Sequence, residues 1–249
     1  MKKLVAYITS AYPEKSFSID LALALSESGV DTLELGVPFS DPVADGPLIE
    51  EANHKALELG FKFKHLLEIS KAVAPKVDTL WMGYFNSFYQ QNMEKLIPLA
   101  KEIGINGFII PDLPHEEALA YQNLFDSNNM SNISFVAPTD SEARIQKIVK
   151  DSKKFIYMVA YTGITGSGSA EDLQPFLSSI KNYTVTPVYV GFGVNKNTAK
   201  EKVKGADGVI VGSAFIDILL KESLSYENKI KECSELAKVL KNEINSQGK

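Results

Sequence analysis

Eight short apolar runs recur along the chain, and this repetition constrains the fold more than any other feature of the sequence. Helical patterns separate the runs, so that strand and helix alternate along the whole length. Most runs are nearly continuous in apolar residues, as is typical of parallel strands covered on both faces. The runs occupy residues 5–11, 32–38, 79–85, 107–112, 133–138, 155–161, 187–193 and 208–214.

Eight strand-then-helix units in 249 residues predict a (β/α)₈ TIM barrel, with residues 1–249 forming one domain. No Ser/Gly linker, charge block or low-complexity segment divides the chain. The main alternative is a doubly wound open sheet, which usually carries a Gly-rich turn after its first strand. This chain reads Ser-Ala-Tyr-Pro there instead (residues 10–13), which favours the barrel.

Helical spacing predicts two helices beyond the regular eight, at residues 48–59 after strand 2 and 214–220 after strand 8. The helix with apolar positions between residues 93 and 103 is expected to end at Gly104. Asp140 or Ser141 is expected to cap a helix that runs through Val149. Extra length after a barrel strand builds the active face, so the insert after strand 2 is expected to carry function.

Bulk properties exclude several classes of partner. The net charge of −5 argues against nucleic acid or an anionic membrane. No apolar run approaches the roughly 18 residues of a membrane span, and the start of the sequence lacks a signal-peptide pattern. The lone cysteine, Cys233, lies on the apolar face of the last helix and is predicted to be a core residue. A cytoplasmic location is therefore expected.

Glu34 is the most unusual residue of the strands, because a buried carboxylate is costly unless it is paired or functional. We found no Lys or Arg in the eight apolar runs to pair with it. Burial should raise the pKa of Glu34, and a carboxyl that titrates nearer neutrality can both accept and donate a proton. Glu34 is therefore predicted to be a general acid and base.

Two further acids, Asp41 and Asp45, follow Glu34 in the loop SDPVADGP (residues 40–47). Each precedes or follows turn-forming residues and could serve only a turn. One of them is a candidate for a second charge near the substrate, and the residues alone do not choose between them.

Glycines at the ends of the last three strands predict a phosphate site. Barrels often bind phosphate with the loops after strands 7 and 8 and with the N-terminus of a short helix. Backbone N–H groups at these positions would hold the anion without Lys or Arg. The candidates are Gly166, Gly193, Gly212 and Ser213. The segment TGITGSGSA (residues 162–170) is expected to close over the ligand, with disorder as the alternative.

The sequence also excludes several kinds of chemistry and offers apolar candidates for a substrate pocket. His54, His65 and His115 lie outside the strands without zinc or iron ligand spacing, so no metal site is predicted. The absence of a strand lysine excludes a Schiff-base nucleophile, and no cofactor motif is present. Proton transfer on a phosphorylated small molecule remains. Apolar candidates for its pocket are Tyr7, Tyr84, Ile109, Tyr157 and Phe192.

Residues 33–47, LELGVPFSDPVADGP, closely resemble the signature of the tryptophan synthase alpha subunits. Further matches follow in the same order along nearly the whole chain, at residues 111–114, 163–166, 191–193 and 212–214. One departure from the family lies at the end of strand 6. Many relatives carry Ser-Arg where this chain has Ala160 and Tyr161.

The resemblance implies cleavage of indole-3-glycerol phosphate to indole and glyceraldehyde 3-phosphate. It implies that Glu34 is the acid–base group and that Asp45 stabilises positive charge at the indole nitrogen. The phosphate would lie on the four candidates named above, and Tyr7, Ile49, Tyr157 and Phe192 would contact the substrate. Thr165 would belong to a closing lid, and Asp112 to a loop that communicates with a partner.

The implied partner is a beta subunit that carries pyridoxal phosphate, in an α₂β₂ assembly, so that this chain itself needs no cofactor. Two other functions stay open at this point. The chain could be a non-catalytic activator of a beta subunit, or another phosphosugar lyase or isomerase on the same barrel.

Overall fold

A computed structural model describes residues 1–159, 173–191 and 193–246 of the chain. These residues form nine parallel strands in the order β5-β4-β3-β2-β1-β9-β8-β7-β6. The strands are β1 Lys3–Thr9, β2 Thr32–Gly36, β3 Asp78–Met82, β4 Gly107–Ile109, β5 Ser131–Asn132, β6 Ser134–Val136, β7 Ile156–Val159, β8 Val188–Gly191 and β9 Gly208–Val211.

The sheet is a nearly closed barrel, because its two ends are adjacent in the chain. β5 pairs with β4 and β6 pairs with β7, and only Ile133 separates β5 from β6. The backbone N–H of Ile133 still donates to the Phe108 carbonyl at 2.8 Å. The ninth strand thus arises because β5 forms just before the predicted fifth run, whose own strand is β6, and each of the two pairs with a different neighbour. The prediction of a single-domain TIM barrel fold is otherwise confirmed.

Helices cover the outside of the barrel and connect its strands. They are α1 Lys15–Glu27, α2 Pro47–Glu58, α3 Phe63–Val73, α4 Phe85–Tyr89, α5 Met93–Ile103, α6 His115–Ala118, a 3₁₀ turn Leu119–Tyr121, α7 Gln122–Ser127, α8 Glu142–Asp151, α9 Gln174–Lys181, α10 Ala199–Lys202, α11 Ser213–Leu220 and α12 Tyr226–Asn245. The extra helices predicted after strands 2 and 8 are α2 and α11. The third apolar run was expected to reach Phe85, but β3 ends at Met82 and α4 begins at Phe85.

Local chemistry explains where two of these helices begin and end. α5 ends at Gly104, whose φ of +100° is a left-handed conformation that glycine adopts without a steric cost. α8 begins after Ser141, whose hydroxyl oxygen accepts the backbone N–H of Arg144 at 3.3 Å. Asp140 instead accepts the N–H of Ala137, so Ser141 is the cap of the two candidates.

Apolar side chains fill the barrel beneath its mouth. Val5, Leu80, Phe155 and Tyr189 belong to this inner core, where the rings of Phe155 and Tyr189 stack with centroids 4.4 Å apart. A second layer packs between strands and helices, and Cys233 of α12 is fully buried in it, as predicted. Within the described parts of the chain, no helix is long and apolar enough to cross a membrane.

The expectation that no strand carries a lysine was wrong at one position. Lys3 opens β1, which begins two residues earlier than its apolar run. Its side chain is half exposed and forms an ion pair with Asp31 at 3.1 Å. Because Lys3 lies at the amino end of the strand, it leaves the carboxyl end, where the site is expected, without a lysine from β1.

Candidate active site

A cavity of about 880 Å³ opens at the mouth of the barrel, lined by strand ends and by the loops that follow them. It gathers most of the residues that the sequence singled out. The predicted residues on its wall are Tyr7, Glu34, Asp45, Ile49, Ile109, Tyr157, Gly193, Gly212 and Ser213. The cavity therefore places two acids, an apolar surface and the strand-end glycines around one space.

Glu34 projects into the barrel from the middle of β2. Its register partners are Tyr7 on β1 and Leu80 on β3, both of which are also buried. The Glu34 side chain is only 2% exposed, and its Oε1 atom receives no hydrogen bond from the described residues. Desolvation, reinforced by the charge of Asp45, raises the pKa of Glu34 to about 8. This carboxyl therefore holds its proton near neutral pH.

Asp45 lies in the loop before α2 and is held by hydrogen bonds that Glu34 lacks. The Asn53 amide donates to its carboxylate at 3.4 Å, and the Tyr84 hydroxyl also donates to it. Burial raises the pKa of Asp45 to about 6, and these two bonds limit the rise. Asp45 is therefore mostly ionised at a pH at which Glu34 is mostly protonated.

The structure distinguishes the two loop acids that the sequence could not. Asp41 is exposed and accepts a hydrogen bond from the neighbouring Ser40 hydroxyl at 2.5 Å. Asp45, by contrast, lies on the cavity wall. Charge interaction between Asp45 and Glu34 is also direct enough to contribute to the pKa of Glu34. Asp45 is therefore the second acid of the site.

Tyr84 packs against the loop that carries Asp45 and is not among the described residues of the cavity wall. Its hydroxyl accepts the Ala44 N–H at 2.9 Å while donating to Asp45, and its ring stacks on Phe39. The first bond fixes the backbone next to Asp45, and the second fixes the Asp45 carboxylate. Tyr84 therefore positions an acid, whereas the sequence had suggested a pocket contact.

Tyrosine rings form much of the apolar wall, and strand glycines make room for them. A Cβ atom on Gly36 would overlap the ring of Tyr7, and one on Gly191 would overlap the ring of Tyr157. Burial raises the pKa of both tyrosines, so both remain neutral hydroxyls. Both rings line the same cavity as Glu34, and Tyr7 is its neighbour in register.

Phe135 is a wall residue that the sequence did not single out. Its ring stacks on that of Tyr157, with centroids 4.9 Å apart and planes 27° from parallel. The fifth apolar run contains Phe135, but only the register of β6 with β7 shows that the two rings meet. Asn53 was missed for a similar reason, since its role depends on contact with Asp45.

Two glycines of the cavity wall, Gly193 and Gly212, lie in the segments after β8 and β9. Gly193 has a φ of +65°, and its carbonyl oxygen accepts the Thr198 hydroxyl at 2.8 Å. Gly212 precedes α11, whose first residue is Ser213. The first N–H groups of a helix lack partners within it and favour an anion. Gly193, Gly212 and Ser213 can together present N–H groups to an anion.

Other predicted residues lie elsewhere. Asp112 is exposed and accepts the Phe85 N–H at 2.8 Å, which links the segment after β4 to the start of α4. Thr165, Gly166 and Phe192 lie outside the described residues, as does the Ala160–Tyr161 departure. Among described residues, no group of three or more His, Cys, Asp or Glu side chains could hold a metal ion.

Comparison with known proteins points to one family over nearly the whole chain. A family model described as tryptophan synthase alpha chain matches residues 1–245. A tryptophan synthase alpha chain from Wolinella succinogenes is 53% identical over 247 residues, which cover 99% of this chain and 97% of that protein. The solved alpha subunit from Campylobacter jejuni is 34% identical, with a TM-score of 0.85 and coverage of 94% and 95% of the two chains.

A crystal structure of tryptophan synthase from M. tuberculosis in an aminoacrylate-bound form is also similar, at 28% identity and a TM-score of 0.86. It covers 98% of this chain and 94% of that one. Family model, relatives and solved structures thus agree over almost the full length of the chain and in the barrel fold. The chain belongs to the tryptophan synthase alpha chain family.

Proposed function

We propose that this chain cleaves indole-3-glycerol phosphate to indole and glyceraldehyde 3-phosphate by a retro-aldol reaction. The observation that carries the proposal is the pair of acids in one cavity with different proton affinities. Glu34 has a pKa of about 8 and Asp45 one of about 6. Two carboxyls whose environments separate their pKa values can divide the roles of proton donor and charge stabiliser.

Glu34 is the proton carrier in this mechanism. Its protonated carboxyl donates to C3 of the indole ring, which leaves positive charge on the ring nitrogen, and the Asp45 carboxylate stabilises that charge. Glu34, now ionised, removes the proton of the side-chain hydroxyl next to the ring. The carbon–carbon bond breaks as the aldehyde forms, and its electron pair returns to the indole.

The other parts of the cavity bind the two ends of the substrate. Tyr7, Tyr157 and Ile49 provide a flat apolar surface for the indole. Gly193, Gly212 and Ser213 provide N–H groups for the phosphate. We assign Gly166, Phe192 and the lid residue Thr165 to this machinery from the family resemblance alone.

The proposed partner is a tryptophan synthase beta subunit, to which pyridoxal phosphate belongs. Membership of the family and the similarity to solved tryptophan synthases support this partner. An α₂β₂ assembly and a communicating role for the loop of Asp112 are parts of the same proposal. The enzyme would act as a carbon–carbon lyase in tryptophan biosynthesis.

Indole release by Glu34→Gln tests the reaction, measured with and without a beta subunit. We expect turnover to fall at least about 100-fold, since a general acid–base group contributes roughly 10²–10⁴-fold. Asp41→Asn is the matched control, because it neutralises an exposed acid of the neighbouring loop, and it should keep near-normal turnover. Glu34→Gln with more than about 1% of normal activity would contradict the assignment.

A further inference from the structure

A lysine lies close behind the glycine loop that we assign to phosphate. Lys202 is the last residue of α10, and its Nζ atom lies 2.9 Å from the position that a Cβ atom of Gly193 would occupy. The lysine does not belong to the described cavity wall, whereas Gly193 does. Its charged end therefore lies against the Gly193 loop without forming part of the described cavity wall.

Short hydrogen bonds tie this loop to α10. The Thr198 hydroxyl donates to the Gly193 carbonyl at 2.8 Å and accepts the Asn195 N–H at 2.9 Å. The N–H of Lys202 donates to the Thr198 carbonyl at 2.9 Å. The Gly193 carbonyl, which could repel an anion, is thus already hydrogen-bonded. The backbone of Lys202 is fixed to the same loop through Thr198.

We infer that Lys202 is a positioning residue for the substrate phosphate, supplying positive charge through the Gly193 loop without touching the ligand. The inference rests on the proposed function, because it takes Gly193 as a phosphate contact. Standard bond lengths and a 2.9 Å hydrogen bond place Nζ within about 10 Å of a phosphorus atom held by the Gly193 N–H. That separation is about one Debye length at 0.1 M salt, so the attraction is incompletely screened.

Partial burial of Lys202 strengthens the effect that its charge has on neighbouring groups. Lys202 is partly buried, so water only partly surrounds its ammonium, and this burial lowers the pKa of the group. A partly desolvated charge acts on its neighbours more strongly than one in bulk water. Binding of a phosphate dianion would favour the charged ammonium, so by linkage the charged ammonium favours the dianion.

The test measures binding of inorganic phosphate and of uncharged indole, separately, to the full chain. Lys202→Met removes the charge but keeps most of the stem, and we expect it to weaken phosphate binding about fivefold. Indole binding should not change, and Lys202→Arg should bind phosphate nearly as well as the unaltered chain. Lys200→Met removes an exposed charge from the same helix and is the matched control.

The kinetic counterpart is a raised KM for indole-3-glycerol phosphate in Lys202→Met, with kcat within about twofold of normal. Phosphate binding unchanged by Lys202→Met would overturn the inference, as would equal losses of phosphate and indole binding, which indicate a structural role. No phosphate binding to the unaltered chain would overturn it together with the phosphate site. A chain that binds phosphate through Lys202 but releases no indole would refute only the proposed reaction.

Discussion

Replacing Glu34 by Gln should stabilise the protein while it removes activity, and the gain should depend on pH. The pKa of Glu34 rises from 4.5 to about 8 on folding, so the folded chain binds more protons than the unfolded chain between these values. Stability therefore falls as the pH rises through this range. At 1.36 kcal/mol per pKa unit, the penalty grows from about 1 kcal/mol at pH 5 to about 3 at pH 7 and about 4 at pH 8.

Glu34→Gln lacks this titration, so its advantage over the unaltered chain should follow the same curve. Urea unfolding at pH 5, 7 and 8 would measure it, as a difference in the free energy of unfolding. The amide introduced in the variant has few hydrogen-bond partners. Its burial should lower the free energy of unfolding by a similar amount at every pH, so the slope of the stability difference against pH is unchanged. Asp41→Asn is the control and should show no comparable slope.

A Glu34→Gln variant whose stability relative to the unaltered chain does not increase between pH 5 and pH 8 would refute the reasoning. It would mean that Glu34 is ionised at little cost, through a partner or water not evident from its burial. The roles of the two acids in the mechanism would then need another basis, because the proton on Glu34 at neutral pH is their starting point.

Three further predictions follow from single contacts. Asp45→Asn should lower the pKa of Glu34, since the Asp45 charge contributes to its rise. It should also reduce turnover at least about 100-fold. Carboxyl titration by NMR would measure the first change, and indole release the second. Gly36→Ala should displace the Tyr7 ring and reduce stability by about 1–3 kcal/mol, seen in urea unfolding, because its Cβ would overlap that ring. Ser141→Ala should reduce stability by about 1 kcal/mol in the same assay, through loss of the bond to the N–H at the start of α8. Unchanged values would contradict each contact in turn.

Patterns that depend on neighbours in sequence predicted the barrel well. The apolar runs, the end of α5 at Gly104 and the extra helices all follow from side-chain periodicity and glycine conformation, which are local properties. Glu34 was identifiable because a carboxylate within an apolar run is costly wherever the strand lies. The sequence could therefore indicate one acid of the site before any tertiary contact was known.

Contacts between segments that are distant in sequence could not be predicted from sequence patterns. The choice of Asp45 over Asp41 depends on which loop residue faces the cavity, and both acids sit among equally good turn formers. The stack of Phe135 on Tyr157 depends on strand register. The additional strand β5 precedes the predicted fifth run and pairs with β4, whereas β6 pairs with β7, so its presence depends on closure of the barrel.

The difference between the two pKa values requires that the cavity keep water away from Glu34. Glu34 receives little hydrogen bonding and depends on burial for its high pKa, whereas Asn53 and Tyr84 hold Asp45 by hydrogen bonds. Water admitted beside Glu34 would solvate its ionised form and bring the two pKa values together. A substrate that fills the cavity does the opposite, because it adds to the desolvation of Glu34. In the proposed reaction its indole end would therefore reinforce the protonation state that the first step requires, so binding and proton transfer would depend on the same apolar wall.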